Sequence, residues 1–168
     1  GSFCAPVCSP PDLGIVAARP GLGGRFIGLA IGQLYPDYVA ILKDYTKAVF
    51  QRNHILKQMD KVLKENQLLD VFEAEIVSLG QKISKYRSDY CNTLTLTSAS
   101  IYNELSSMRE ELEAVYMPSI GEDFAEQLFK ARKSDVITGV TSVGPHRDDL
   151  DFKINGISAR TFGSQGQQ

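Results

Sequence analysis

A chain of 168 residues, 43% apolar and 23% charged, has material for one ordinary domain or a small domain with an extension. Its formal net charge of −2 excludes a wholesale nucleic-acid coat while leaving room for a local basic face. The lack of any Trp excludes a Trp-anchored ligand cage, and no apolar run reaches the roughly eighteen residues of a membrane-spanning helix.

Residues 1–35 read as irregular. "SPPDL", "ARPGLGG" and "AIGQLYP" supply breakers, and seven glycines lie between Gly1 and Gly32, poor material for a helix. An apolar stretch at Phe26-Ile27 and Leu29-Ala30-Ile31 leaves open a short buried helix or strand. The segment "FCAPVC" lacks the basic flank of a signal peptide. Cys4, Cys8 and Cys91, with only His54 and His146 to add, follow no zinc-ligand spacing and read as reduced thiols of a cytoplasmic protein.

At Pro36 the texture changes. Pro36-Asp37 suits a first helical turn, and no Gly or Pro follows until well past Asn66. Tyr35, Leu42, Val49, Leu56 and Leu63 recur every seven residues, with Tyr38, Tyr45, Arg52 and Met59 three later. This predicts a coiled-coil seam, imperfect at Arg52, on a helix on the order of 45 Å long. A second seam runs through Leu69, Phe72, Ile76, Leu79, Ile83, Tyr86 and Tyr90. Gly80 lies inside it at a cost of roughly 1 kcal/mol. The β-rich "TLTLTSAS" interrupts the pattern, which resumes at Ile101, Leu105, Met108 and Leu112. The first helix is net basic and the second net acidic, so the two are expected to pack as an antiparallel hairpin.

The last third alternates. "LEAVYMPSI" predicts a strand with Leu112, Ala114 and Tyr116 on one side, and "GEDFAEQLFKARK" a short amphipathic helix with Phe124, Leu128 and Ala131 inward. "GVTSV", "LDFKI" and "ISAR" predict strands, the last two joined by an Asn155-Gly156 hairpin turn. The fold class is therefore α+β: a long antiparallel helical hairpin inserted into a β-containing body. The boundaries are 1–35 leading into the arm, 36–111 as the arm, and 112–168 as the return.

Three groups of residues could carry chemistry. In the terminal "FGSQGQQ", Ser164 and Gly166 offer a hydroxyl and a backbone N–H that could hold phosphate at a helix start, although such strings also form plain flexible tails. In "GPHRDDL", His146 beside Asp148 and Asp149 could be a base or metal ligand. The plainer alternative is an Arg147–carboxylate clamp fixing a turn, with His146 bonded to backbone. A metal-dependent hydrolase on those residues lacks further ligands. Finally, Lys43, Lys47, His54, Lys57, Lys61 and Lys64 repeat at spacings of three, four or seven away from the seam. They could follow a phosphate backbone or meet an acidic partner, or simply form a solvated face.

Taken together, "SPPDLGIV", "RFIGLAIGQLYPDYVAILKDYTKAVFQRNHILK", "ELEAVYMPSI" and "SVGPHRDDLDFKINGISARTFGSQGQQ" resemble, in order, the RecF family of bacterial DNA replication and repair proteins, of the ABC/SMC-like ATPase class. The C-terminal stretch is the most specific. Departures occur at Pro11, where the family usually shows an acid, at Gly23-Gly24, where it shows basic residues, and near Gly28, where it shows an acid. The resemblance implies that the hairpin is the arm of an ABC-type ATPase head. It gives Ser164, Gly166 and Gln167 a signature role toward the γ-phosphate in trans across a homodimer. It implies ATP and magnesium as cofactors of the full-length protein, DNA at single-strand/double-strand gaps as ligand, RecO- and RecR-type mediators as partners, and recombinase loading as the task. Lys43, Lys47, Lys57, Lys61, Lys64 and Arg147 become candidate DNA or partner contacts. No G-x-x-x-x-G-K-[ST] occurs, so a chain of this extent, cut inside its nucleotide site, is expected to lack ATPase activity alone. A helical interaction module without nucleotide chemistry is the alternative.

Overall fold

A computed structural model describes residues 22–58, 67–105 and 112–158. These form α1 (Leu22–Leu34), α2 (Pro36–Gln58), α3 (Gln67–Leu105), β1 (Leu112–Met117), α4 (Phe124–Thr138), a 3-10 turn (Pro145–Arg147), β2 (Asp149–Ile154) and β3 (Ile157–Ser158). The described residues are mostly helical, with one small antiparallel sheet in the order β1-β2-β3. They divide into two compact units: 22–34 with 87–105, 112–117 and 149–158, and 35–58 with 67–86 and 118–148. The helix α3 contributes to both.

In the first unit, β1 and β2 pair from Leu112↔Ile154 to Met117↔Asp149, which places Ala114 opposite Phe152 and Tyr116 opposite Leu150. Ala114, Leu150 and Phe152 are buried, the period-2 alternation of a sheet with one covered face. The expected hairpin turn is present: Asn155 (φ 51°) and Gly156 (φ 78°) both sit in the left-handed region that a two-residue turn with the strand twist requires. Helix α1 packs against β2 and buries Ile27, Ala30 and Ile31, one face at helical spacing. This corrects the irregular reading of residues 22–34 and decides the alternative left open at Phe26–Ile31 in favour of a buried helix. Glycine costs each helical position about 1 kcal/mol, and burial of that apolar face against the sheet outweighs it.

The expectation of a break at "TLTLTSAS" is also corrected, since α3 runs unbroken through it to Leu105. Thr93 Oγ1 returns its hydrogen bond to the Asp89 carbonyl (2.9 Å), a hydroxyl habit compatible with helix. Thr95 Oγ1 accepts from the Ala114 N–H of β1 (3.0 Å). A helical Thr therefore serves the strand beside it. Cys91 is a buried free thiol, and burial, opposed by the Arg87 charge, pushes it up to about 11, so it remains protonated. Cys4 and Cys8 lie outside the described residues.

In the second unit, α2 and α3 form the expected antiparallel pair. Tyr38 meets the Tyr86 ring edge-on (5.6 Å between centroids), Arg52 meets Glu73, and Leu56 clusters with Leu69 and Val136. Partners retreat along α3 as α2 advances. The expected extension of α2 toward Asn66, with Met59 and Leu63, lies outside the described residues. Tyr38, Tyr45, Leu56, Leu69, Ile76 and Ile83 are buried as the seams require, whereas Tyr35 is about half exposed. The short helix expected from Gly121 is longer, running through "SDVIT" with Asp135 and Val136 inward.

Gly80 has a packing reason. A Cβ there would lie 2.7 Å from Phe124 Cε1 and 3.3 Å from Pro145 Cδ, inside the contact distance of a buried ring that has nowhere to retreat. The Gly80→Val variant should lower stability by about 1–3 kcal/mol through overpacking, despite Val's better helix propensity. Urea denaturation measures this, and an unchanged midpoint would contradict the close approach of α3, α4 and the Pro145 turn.

Candidate functional site

The expected strand at "GVTSV" is absent, and the reason leads to the most unusual feature of the second unit. Helix α4 ends at Gly139, whose left-handed conformation (φ 68°) closes the last turn with its N–H on the Asp135 carbonyl (2.7 Å). In the loop that follows, side chains take the backbone donors a neighbouring strand would have taken. The Thr141 N–H donates to Asn53 Oδ1 (2.7 Å) and the Ser142 N–H to Asp135 Oδ1 (3.1 Å). With these donors satisfied, the segment has no need of a ladder.

One of these acceptors, Asp135, is held by Arg52, the residue that looked like a fault in the seam. Its side chain is completely buried. Nε donates to Glu73 Oε1 (3.0 Å), and Nη1 donates to Asp135 Oδ2 (2.6 Å) and to Thr141 Oγ1 (3.0 Å). Nη2 lies 2.9 Å from Glu73 Oε1, an ion-pair approach off the axis of a good hydrogen bond. Glu73 is shared: Arg132 Nε and Nη2 bind its other side (2.9 and 2.6 Å), and Arg132 Nη2 also reaches Asp70. Glu73, then Asp70, hold the Arg132 guanidinium more firmly charged than usual. A buried guanidinium is tolerated only when its donors and charge are met in this way.

The "GPHRDD" turn is fixed from the same side. His146 Nε2 donates to the Thr141 carbonyl (2.9 Å), which leaves Nδ1 to accept from the Tyr45 hydroxyl (2.7 Å). Asp148 accepts the Ser119 N–H (2.8 Å), and Ser119 Oγ donates to the Gly144 carbonyl (2.6 Å). The expected Arg147–carboxylate clamp is corrected: the clamp is Asp148 on Ser119, and the buried cation is Arg52. Arg147 is exposed and among the described residues has no carboxylate at ion-pair distance. His146, by contrast, bonds to backbone as the plainer alternative expected. Both its nitrogens are engaged, which removes it as a ready metal ligand or base. Among the described residues no group of three or more His, Cys, Asp and Glu could hold a metal ion.

The basic stripe divides. Lys43, Lys47, His54 and Lys57 are exposed on α2; Lys61 and Lys64 lie outside the described residues, as do Ser164, Gly166 and Gln167. The Lys57 stem lies over Gly139, with Cγ only 2.7 Å from where a Cβ would stand. Sequence reasoning missed Arg52, Asn53, Asp135 and Thr141. The available signal was an Arg at a seam position and an Asp seven residues after Leu128 on the inward face of α4.

Although part of His146 stays at the surface, desolvation of its ring is the main cause that lowers the imidazole below its ordinary value, aided by the Arg147 charge and opposed by the Thr141 carbonyl, Asp148 and Asp135. The unfolded chain, near 6.5, then takes up the proton at higher pH than the folded one. The contribution is fully present above about pH 6.5 and lost progressively as pH falls below it. Urea midpoints should therefore drop between pH 7.5 and 5.5 by more in the unsubstituted chain than in His146→Gln; equal drops would contradict this.

No protein-family model matches the chain. Curated relatives do. DNA replication and repair protein RecF from Bacillus cereus (strain AH820), Bacillus anthracis (strain CDC 684 / NRRL 3495) and Bacillus thuringiensis (strain Al Hakam) are each 37% identical over 172 aligned residues, covering 95% of this chain and 46% of the relative. Among solved structures, the recombination mediator protein RecF of the RecFOR pathway with ATPrS superposes with a TM-score of 0.81 at 30% identity, over 95% of this chain and 46% of that one. The same protein with ATP gives 0.80 at 29% identity. The chain spans about half the length of the curated relatives it matches. Among the described residues no helix is long and apolar enough to cross a membrane.

Proposed function

This chain is a homologue of a portion of RecF, and we propose that it is the helical arm, with flanking head segments, of a RecF-like protein of DNA repair and recombination. The whole protein would bind DNA and ATP with magnesium, dimerise through its nucleotide sites, and help load recombinase at gaps together with RecO- and RecR-type mediators. Similarity over 95% of the chain to a RecFOR-pathway mediator is the observation that carries this reading.

For the nucleotide, the donor set of Ser164, Gly166 and Gln167 suits an anion: a hydroxyl, an unhindered N–H and an amide. In the proposed arrangement these groups would hold the γ-phosphate bound by a second head, and electrostatic stabilisation is the chemistry that such donors supply. The buried Arg52 cluster has a different part. It fixes the 139–148 loop within the second unit.

For DNA, the exposed lysines of α2 supply the support. Lys43, Lys47 and Lys57 lie on one side of the helix, with Asp44, three residues before Lys47, at its edge and Asp37 farther round. A second reading, a helical interaction arm without nucleotide chemistry, is favoured by an open groove of about 490 Å³ between α3 and α4, lined by Ala74, Val77, Leu128 and Phe129.

Replacing Lys43, Lys47 and Lys57 together by Gln should weaken duplex binding by this chain at low salt. The slope of log affinity against log salt should become shallower by about 1 for each lysine in contact. Fluorescence anisotropy across a salt series measures it; an unchanged slope would remove the stripe from the DNA reading and leave the interaction arm.

A further inference from the structure

The groove between α3 and α4 leaves apolar groups in water beside charges that the chain itself does not answer. Phe129 stands on its wall, 62% exposed, with the Arg132 guanidinium over its ring (4.8 Å to the centroid). Arg132 is in turn held by Glu73 and Asp70. The aromatic wall is therefore fixed before anything docks, and little freedom is lost when something does. Exposed Ala74 and Ala125 flank it and let another helix come close.

The charges along the two rims select the occupant. Gly80 lies against Phe124 and Glu73 binds Arg132, so α3 and α4 run antiparallel in a fixed register. Glu75 and Lys82 lie on the outer rim of α3, about two turns apart. Glu122, in the turn leading into α4, and Lys133 lie on the other rim. Each rim thus runs from acid to base, and the two run in opposite directions. All four side chains are exposed, and among the described residues none has an ion pair. Glu126 and Lys130, by contrast, satisfy each other (2.6 Å).

A helix from another protein would need an acid on one flank and a base on the other at each end of the groove. A second copy of this unit has that pattern already. Turned about a two-fold axis along the groove, it lays its α4 over α3 and its α3 over α4, an all-antiparallel arrangement of four helices. Glu75 then meets Lys133 of the second copy. The two stand about one turn apart in level, and because helical side chains lean toward their own N-terminus, they lean toward each other. Lys82 meets Glu122 of the second copy at the other end, and the symmetry repeats both pairs. We propose that two copies of this chain dimerise through the α3–α4 groove, with Phe129 as apolar anchor and Glu75–Lys133 and Lys82–Glu122 as reciprocal ion pairs. This rests on the interaction-arm reading of the groove and names its occupant. It needs no nucleotide, unlike the pairing through nucleotide sites.

Sedimentation equilibrium of this chain without nucleotide tests it, with Phe129→Ala, Glu75→Lys and Lys133→Glu as variants. All three positions are exposed, so far-UV circular dichroism should not change. The unsubstituted chain should show a monomer–dimer equilibrium that weakens with salt. Each variant should raise the dissociation constant by at least about tenfold, the two charge reversals by setting like charges together at both symmetric positions. Mixed in equal amounts, Glu75→Lys and Lys133→Glu should form a heterodimer within about threefold of the unsubstituted affinity, because every facing pair is again opposite in sign.

A chain that stays monomeric at every concentration overturns the proposal, while the interaction-arm reading stands with the groove open to another protein. A dimer that either Phe129→Ala or the charge reversals leave unchanged uses a different face and overturns it too. So does a mixture of the two reversals that fails to pair, since the rims would then not meet as the two-fold axis requires.

Discussion

A single buried guanidinium organises the second unit. Removing a full positive charge from water is costly by several kcal/mol even after relaxation, so Arg52 dictates what may surround it. Two carboxylates, from α3 and α4, and a loop hydroxyl meet its planar fork. Each lies where a different segment must come close. Glu73 brings in α3, Asp135 brings in α4, and Thr141 brings in the loop beyond α4. A lysine could not replace it, because one ammonium lacks the fixed divergent donors that hold three elements at set angles.

The consequences spread outward by hydrogen bonding. Asp135, held through one oxygen by Arg52, uses the other to accept the Ser142 N–H. Asn53, next along α2, accepts both the N–H and the hydroxyl of Thr141. The Thr141 carbonyl then sets the tautomer of His146, and through it the donor role of the Tyr45 hydroxyl. Residues that sequence order separates by about a hundred positions are thereby joined without a strand between them. The loop is held against α2 and α4, while Lys43, Lys47 and Lys57 of α2 remain exposed.

How much of this could be read beforehand follows from the kind of force involved. Apolar periodicity reports burial, so the two seams, the antiparallel hairpin, the strand at 112–117 and the Asn155-Gly156 turn were all legible. Local propensity reports the isolated segment, and it failed where tertiary contacts overrode it. Residues 22–34 are helical despite their glycines, and "TLTLTSAS" is helical despite its threonines. "GVTSV" is irregular because Asn53 and Asp135 take its donors. The Arg52 cluster was hidden for a different reason. A hydrophobic pattern registers a charge at a seam position only as a defect, and its partners on α3 and α4 become visible only when the helices are assembled. The lysine face was legible from spacing. Phe50 shares the three- and four-residue spacing of that face but lies outside the apolar seam, so burial periodicity did not single it out.

The account depends most directly on Arg52 holding the 139–148 loop, and native-state hydrogen exchange tests that at the atoms concerned. The Thr141 and Ser142 amides should exchange slowly in the unsubstituted chain. In Arg52→Lys they should exchange faster by at least about tenfold, the scale of losing one charged hydrogen bond, relative to ladder amides of β1 and β2. Thr141 and Ser142 amides that exchange at the same rates in both chains would contradict it.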